Sequence, residues 1–279
     1  EEYAETFTKW AGGWQKACVA GGVPATLIGA DAEDARARLR KAIESETKDG
    51  EPLWLVLLGH GTFDGRVGKF NLRGDDLSAD ELAGWLKPFE RTVVIVAGFS
   101  TSGVWLKPLA APGRVVVTAT KSGSENNYAR FGGYLAGAIA SGADLDKDGR
   151  TSLLEAWLAA ARETADFYKG EGRLATEHSL LDDNADALGT PPDFFRGTRA
   201  VKKPQGKAAA DGLRASQLVL VPNADERALS PQQREQRDAL ERELAALRER
   251  KAEMKEDEYF AEIEAVLLKL ARLYHERGS

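Results

Sequence analysis

Seven residues within one twelve-residue stretch carry the most legible chemistry in the chain. Asp144, Asp146 and Asp148 stand at alternate positions, Gly149 follows, and Arg150, Ser152 and Glu155 complete the run. Alternating carboxylates, a glycine for the sharp turn and a glutamate in the twelfth place form the oxygen-donor spacing of a loop that wraps a calcium ion. In such a loop the three aspartates give carboxylate oxygens, Arg150 gives its backbone carbonyl, and Glu155 gives both oxygens. Ser152 acts directly or through water. A poorer echo, Asp182-Asp183-Asn184-Ala185-Asp186, reaches Asp193 at its own twelfth position, with Ala187 where the glycine belongs. The pattern leaves open whether this second stretch holds an ion or is a polar turn. The other chemistry lies at His60, set between Gly59 and Gly61, and at Gly98, with Ser100 and Ser102 just beyond it. Histidine is the side chain suited to proton movement near neutral pH. Cys18 is the single thiol. It has no base near it in sequence and falls on an apolar helical stripe, so it reads as packing.

These residues need elements to hold them. Leu53–Leu58 and Thr92–Ala97 are continuous apolar runs, too short for typical helices and rich in branched residues, which is the pattern of strands buried on both faces. His60 and Gly98 fall at their carboxyl ends, where ligands collect in an open parallel sheet. Tyr3, Phe7, Trp10, Trp14 and Cys18 recur at helical steps up to Gly21-Gly22. Ala25–Ile28 reads as a short strand. Asp31 is placed to cap a helix that turns Leu39 and Ile43 inward, and Thr62–Gly74 reads as a glycine-rich polar loop. Ser78-Ala79-Asp80-Glu81 is a capping box opening another helix. Val115–Ala119 gives a further strand, and Phe131–Ile139 and Leu153–Tyr168 give helices on either side of the acidic loop. The alternation predicts an α/β fold with a mainly parallel sheet between helical layers.

The pair of strand ends resembles the signature of the caspase/legumain superfamily of cysteine peptidases. Gly59-His60-Gly61 matches the block that supplies the base. Ala97-Gly98 stands where the family has alanine followed by the nucleophilic cysteine. The resemblance implies a caspase-like domain with His60 managing the proton, Gly98 at the nucleophile position, and the Gly61 amide helping to bind an oxyanion. As written, the chain lacks the thiol. It reads as a cysteine endopeptidase domain without activity, either an engineered knock-out or a pseudopeptidase. Ser100 or Ser102 could in principle substitute, but a serine two or four residues beyond the strand end points elsewhere. The alternative function is a calcium-regulated scaffold for peptide binding or assembly, without proteolysis. The resemblance spans Tyr3 to Phe195 and implies a peptide or protein substrate and self-processing in a basic linker.

Composition sets the remaining bounds. The chain has 279 residues, 43% hydrophobic and 29% charged, with net charge −6; that charge argues against a general nucleic-acid binder. No apolar stretch approaches the length of a membrane span. Residues 1–196 read as the peptidase-like domain, 197–216 as a flexible linker containing Lys202, Lys203 and Lys207, and 217–279 as a short strand (Gln217–Val221) plus a helical hairpin. Ser230-Pro231 opens its first helix, and a charged break at Lys255–Asp257 separates two apolar stripes. One long coiled-coil helix is the competing reading of that tail, and a protein partner is expected to dock on it. His178 and His275 read as surface residues. The family carries a strand ahead of the first helix, which makes a removed export segment the expectation, so an exported location is favoured slightly over a cytoplasmic one.

Overall fold

The structure is a computed structural model and describes residues 3–29, 34–202, 204 and 209–275. Two helices come first, α1 (Ala4–Gly21) and α2 (Ala35–Ser45), followed by strands β1 (Leu53–Gly59), β2 (Gly61–Phe63), β3 (Gly68–Phe70) and β4 (Leu77–Ser78). Next are α3 (Ala79–Leu86), β5 (Val93–Phe99), the short α4 (Leu106–Leu109), β6 (Arg114–Thr118), α5 (Phe131–Ser141) and α6 (Leu153–Gly170). Strands β7 (Leu180–Asp182), β8 (Phe195–Arg196) and β9 (Arg199–Ala200) precede α7 (Ala224–Ala228), α8 (Pro231–Arg250) and α9 (Glu256–His275). The chain divides into two compact units, the first ending at Val221.

In the first unit the main sheet has the order β1-β5-β6-β7. β1, β5 and β6 run parallel, and β7 returns antiparallel at the far edge. Side chains alternate across the sheet. Trp54, Val56, Val94, Val96, Val115 and Val117 pack under α1, α5 and α6, and Leu57, Val93, Ile95, Ala97 and Val116 pack with α2, α3 and α4. Every residue of β5 and β6 is buried, which is why β5 and the Val115–Val117 centre of β6 read as apolar runs. Helix starts follow local chemistry. Ser78–Glu81 and Ser152–Glu155 form reciprocal capping boxes, and α1 ends at Gly22 in the left-handed conformation.

Several expectations are corrected. Ala25–Ile28 is no strand, because its backbone joins no neighbouring strand among the described residues. The loop after His60 holds β2 and β3, which form a small antiparallel sheet with β4. There Phe70 and Leu77 bury against Phe99 and Trp105, so alternate apolar residues inside a polar stretch are enough to order it. Gln217–Val221 is not a strand either; it follows a 3-10 turn (Ala215–Gln217) and buries Leu218 and Leu220 under the helical face of the sheet. The described residues of the expected flexible linker of 197–216 belong to the first unit. Arg199–Ala200 pairs with β8, and Asp211, Gly212 and Ala215 are tied to Asp183. Asp211, within that stretch, accepts from the buried Asp183 amide. Asp31, Lys203 and Lys207 lie outside the described residues; Asp34 precedes α2 and makes no side-chain cap bond.

In the second unit Pro231 opens α8 behind a capping box of Ser230 and Gln233. The helix stops at Arg250, a 3-10 turn spans Lys251–Glu253, and α9 begins at Glu256. Leu240, Leu244 and Leu247 of α8 bury against Val266 of α9, with Met254, Ile263 and Leu270 alongside. Arg237 is buried with Glu226 as its partner and also pairs with Asp238. No helix among the described residues is long and apolar enough to cross a membrane.

Candidate functional site

The ends of β1 and β5 are set side by side by their parallel register, which runs unbroken from Leu53 opposite Val93 to Gly59 opposite Phe99. His60 and Ser100 are the residues that follow these two strand ends. Gly61 follows His60 and presses on the turn leaving β5. A Cβ added to Gly61 would lie 2.3 Å from the Ser100 carbonyl oxygen and 2.6 Å from the Phe99 ring, so only glycine fits. In return, the Gly61 amide donates to Ser100 Oγ at 3.1 Å, and Ser100 Oγ donates to the Gly61 carbonyl at 3.2 Å. Ser100 is 1% exposed.

Gly98 lies two residues earlier, inside β5 and opposite Leu58. A Cβ there would meet Gly132 Cα and Leu58 Cδ2 at 3.1 Å and the Leu57 carbonyl at 3.2 Å. The position is glycine where α5 packs down onto the strand. The structure therefore brings together His60, Gly61 and the side chain of Ser100, with Gly98 against the α5 layer behind them.

The turn after Ser100 is pinned. Thr101 takes a positive φ of 63° and its amide donates to the Glu125 carbonyl at 2.8 Å. Ser102 Oγ accepts from the amides of Ala119 and Thr120 at 3.0 and 3.2 Å, closing the ends of β5 and β6 together. Ser102 thus serves the backbone.

His60 sits among aromatic rings. The Tyr3 and Phe7 rings of the first helical segment meet it edge-on at 5.4 and 5.3 Å, and Tyr128 lies at 6.0 Å. Tyr3 stacks on Tyr128 at 4.3 Å, and Arg130 covers the other rings, 4.9 Å from Tyr128 and 4.1 Å from Phe167. Burial holds the imidazole below its ordinary range and so favours the neutral ring, which can accept a proton. Burial also pushes the Tyr128 phenol up to about 12. The helical spacing of Tyr3, Phe7 and Trp10 is plain in the sequence. That this stripe cups the histidine appears only in three dimensions.

His178 is exposed, as a surface residue should be, and it also has a buried partner. His178 Nδ1 contacts the buried Glu125 carboxylate, which also accepts from the Lys121 amide at 2.8 Å. Because Thr101 bonds to the carbonyl of the same Glu125, this pair is linked to the turn behind Ser100. Fifty-three residues separate the partners, and no local pattern signals them. Nearby, Glu177 receives the amides of Arg130 and Phe131 at 2.6 and 2.9 Å at the start of α5, and Tyr168 donates to it at 2.9 Å. Burial raises its carboxyl above the usual range.

The acidic loop joins α5 to α6. One carboxylate oxygen from each of Asp144, Asp146 and Asp148 lies within 4.8 Å of the others, so the three could hold a metal ion. Asp144 accepts from the amides of Lys147 and Gly149 at 2.7 and 3.1 Å, which folds the loop around it; both residues carry positive φ, 67° and 83°. Asp148 receives the Arg150 amide and guanidinium at 2.8 and 2.7 Å. Glu155 is 2% exposed and clasps both ends of the loop. One oxygen accepts from Leu145 and Asp146, the other from the amide and hydroxyl of Ser152. The donor set is all oxygen and suits a hard cation. Three of the six expected ligands converge, while Ser152 and Glu155 bond to each other.

The second acidic stretch has the same backbone turn. Asp182 accepts from Ala185 and Ala187 at 3.0 and 2.7 Å, and these two residues have φ of 66° and 62°. Asp193, however, pairs with Lys202. Asp183 and Asp211 are buried beside the turn, and burial pushes Asp211 up to about 7. Comparison with known proteins finds no match to any family model, curated protein or solved structure.

Proposed function

We propose that the first unit is a caspase/legumain-type peptidase-like domain that binds an extended peptide at the carboxyl ends of β1 and β5 and does not cut it through a thiol. The observation that carries this reading is the juxtaposition of His60-Gly61 with the end of β5 by an unbroken parallel register. A peptide carbonyl bound beside His60 would take the Gly61 amide in place of its bond to Ser100 Oγ. Gly98 has no side chain to attack with. The hydroxyl nearest the Gly61 amide, that of Ser100, is buried and bonded to Gly61 in both directions. A calcium ion held by Asp144, Asp146 and Asp148, with Arg150, Ser152 and Glu155 completing the shell, would lock α5 to α6 and so fix the Gly132 contact behind Gly98.

A non-cutting peptide binder also fits the second unit, whose α8 and α9 form a helical hairpin for assembly. Phe260, Leu267 and Leu268 of α9 are 52%, 46% and 49% exposed, an apolar surface open to a protein partner. If a cysteine-bearing form processes itself, the cut falls near Lys202, which is exposed, and not near Gly212–Ala215, whose amides Asp183 holds.

The test is incubation of the purified chain, with calcium, with a peptide mixture varied at each position. Retention of intact peptides that is lost in His60→Ala supports the reading. Cleavage that disappears in Ser100→Ala would show hydroxyl chemistry and overturn the non-cutting part. No His60-dependent retention overturns the whole.

A further inference from the structure

Gly61 turns both of its backbone groups toward the turn that leaves β5. In the β2–β3 ladder the Asn71 amide donates to the His60 carbonyl at 2.9 Å, so the next residue, Gly61, faces away from β3. Two residues paired across an antiparallel ladder exchange both bonds, each giving its N–H to the other's C=O. Ser100 Oγ makes both kinds of contact with one atom. It accepts from the Gly61 amide and donates to the Gly61 carbonyl. A single hydroxyl thus stands where a residue of an extended peptide would stand.

The turn that carries this hydroxyl is held against its own preference. Thr101 is β-branched, yet it takes φ 63° and ψ 6°, a left-handed backbone that such residues rarely adopt. Its own hydroxyl is buried without a hydrogen-bond partner. Strain of this kind persists only where the surrounding structure imposes it. Here the restraint comes from two segments distant in sequence. The Thr101 amide donates to the Glu125 carbonyl at 2.8 Å. Gly103 lies so close to the backbone of Lys121 and Ser122 that a Cβ would come within 2.2 Å of it. The Glu125 carboxylate accepts from the amides of Lys121 and His178 at 2.8 and 3.3 Å and contacts His178 Nδ1. His178 therefore acts on Ser100 through Glu125 and Thr101.

We propose that Ser100 and Thr101 form an autoinhibitory latch: in the free chain the Ser100 hydroxyl occupies both backbone groups of Gly61, and an extended peptide binds by displacing it. The proposal rests on the reading of the β1 and β5 ends as a peptide site. The occupant follows from what the hydroxyl imitates. One residue of the peptide must offer a main-chain N–H and C=O together, so proline, which has no N–H, is excluded at the position facing Gly61. The peptide replaces the bonds that Ser100 gives up, and the displaced turn lets Thr101 leave the left-handed region. The strain of the closed turn thus favours release, and the clasp of His178 on Glu125 opposes it.

Two variants of the whole chain test this, with a pool of short peptides varied at each position as the probe. Ser100→Ala removes the occupying hydroxyl and should retain the pool about tenfold more tightly, roughly the worth of one hydrogen bond, with proline absent at one position of the retained peptides. His178→Ala alters an exposed side chain. It should raise retention in the same direction. Without peptide, it should also speed amide exchange at Gly61 by about tenfold while Val96, inside β5, keeps its rate. Equal or weaker retention by a folded Ser100→Ala overturns the latch, because Ser100 would then contribute to binding. An unchanged Gly61 rate in His178→Ala, or a Val96 rate that rises with it, overturns it too, because the clasp would then hold the fold and not the turn. Should Ser100→Ala fail to fold, His178→Ala carries both readouts. If neither the parent nor either variant retains peptide through His60, the peptide reading is overturned instead, and faster Gly61 exchange in His178→Ala would still show the latch.

Discussion

Glu155→Gln separates two roles that one carboxylate plays. Its two oxygens receive four hydrogen bonds, from the amides of Leu145, Asp146 and Ser152 and from the Ser152 hydroxyl, at a site 2% exposed. Glutamine keeps one acceptor oxygen and presents an NH₂ to the donors on the other side. Losing a helix cap costs about 1 kcal/mol, and a buried donor left without a partner costs about 1–3 kcal/mol. The ion-free variant should therefore be about 2 kcal/mol less stable than the parent, and its melting temperature lower by roughly 4–8 °C for a unit of this size. With calcium at a hundred times its dissociation constant, the parent gains about 2.7 kcal/mol. The variant should gain little, because the twelfth ligand is gone, and magnesium should help the parent less than calcium does. Calorimetric melts of both proteins, with chelator and with millimolar calcium, read all of these effects. An ion-free variant as stable as the parent would show that Glu155 does not clasp the loop. A parent indifferent to calcium in melting and titration would reduce Asp144–Glu155 to an acidic turn.

Asp211 should make stability fall as pH rises. Its carboxyl is pushed up to about 7 when folded, mainly by burial, against about 3.9 for an ordinary aspartate. The folded chain therefore holds the extra proton between those values, and stability is greatest at the acid end and is lost as pH climbs through 7. The span is about 2–4 kcal/mol, and Asp211→Asn, which can still accept from the Asp183 and Asn184 amides, should flatten the melting-temperature profile between pH 4 and 7.5 or so. An unchanged slope would move the proton elsewhere. Gly61→Ala, with Ser100 O only 2.3 Å from the new methyl, should cost about 3 kcal/mol or more in denaturant melts, and Gly98→Ala about 1 kcal/mol at its 3.1 Å contacts; the reverse order would contradict the packing described. Arg237→Leu removes the buried guanidinium that pairs with Glu226 and should destabilise the second unit by about 3–5 kcal/mol, read as loss of helix signal at lower temperature.

What the sequence revealed follows from the range of the interactions. β5 and β6 were legible because strands buried on both faces are apolar throughout, and α6 because Ser152 and Glu155 cap it within three residues of each other. The acidic loop was legible for the same reason, since Asp144 folds its own neighbours. β2 and β3 were hidden in polar composition, because Phe70 and a few other residues anchor them against Phe99 far along the chain. The stretch from Asp211 to Ala215 reads as linker until Asp183 is found bonding to it. His178 with Glu125, and Ser100 with Gly61, are pairs that only the topology makes. The motif reading puts Gly98 at the nucleophile position, and only the three-dimensional structure shows the Ser100 hydroxyl against the Gly61 amide.

That arrangement is tested most directly by giving the site a thiol. Gly98→Cys and Ser100→Cys are each treated with a peptide acyloxymethyl ketone in calcium, alone and combined with His60→Ala, and labelling is read by intact mass. The account predicts covalent labelling that depends on His60 in at least one of the two, and faster in Ser100→Cys, whose sulfur would lie against the Gly61 amide. If neither thiol is labelled in a folded protein, or if labelling persists unchanged without His60, the ends of β1 and β5 do not form a peptidase-like site.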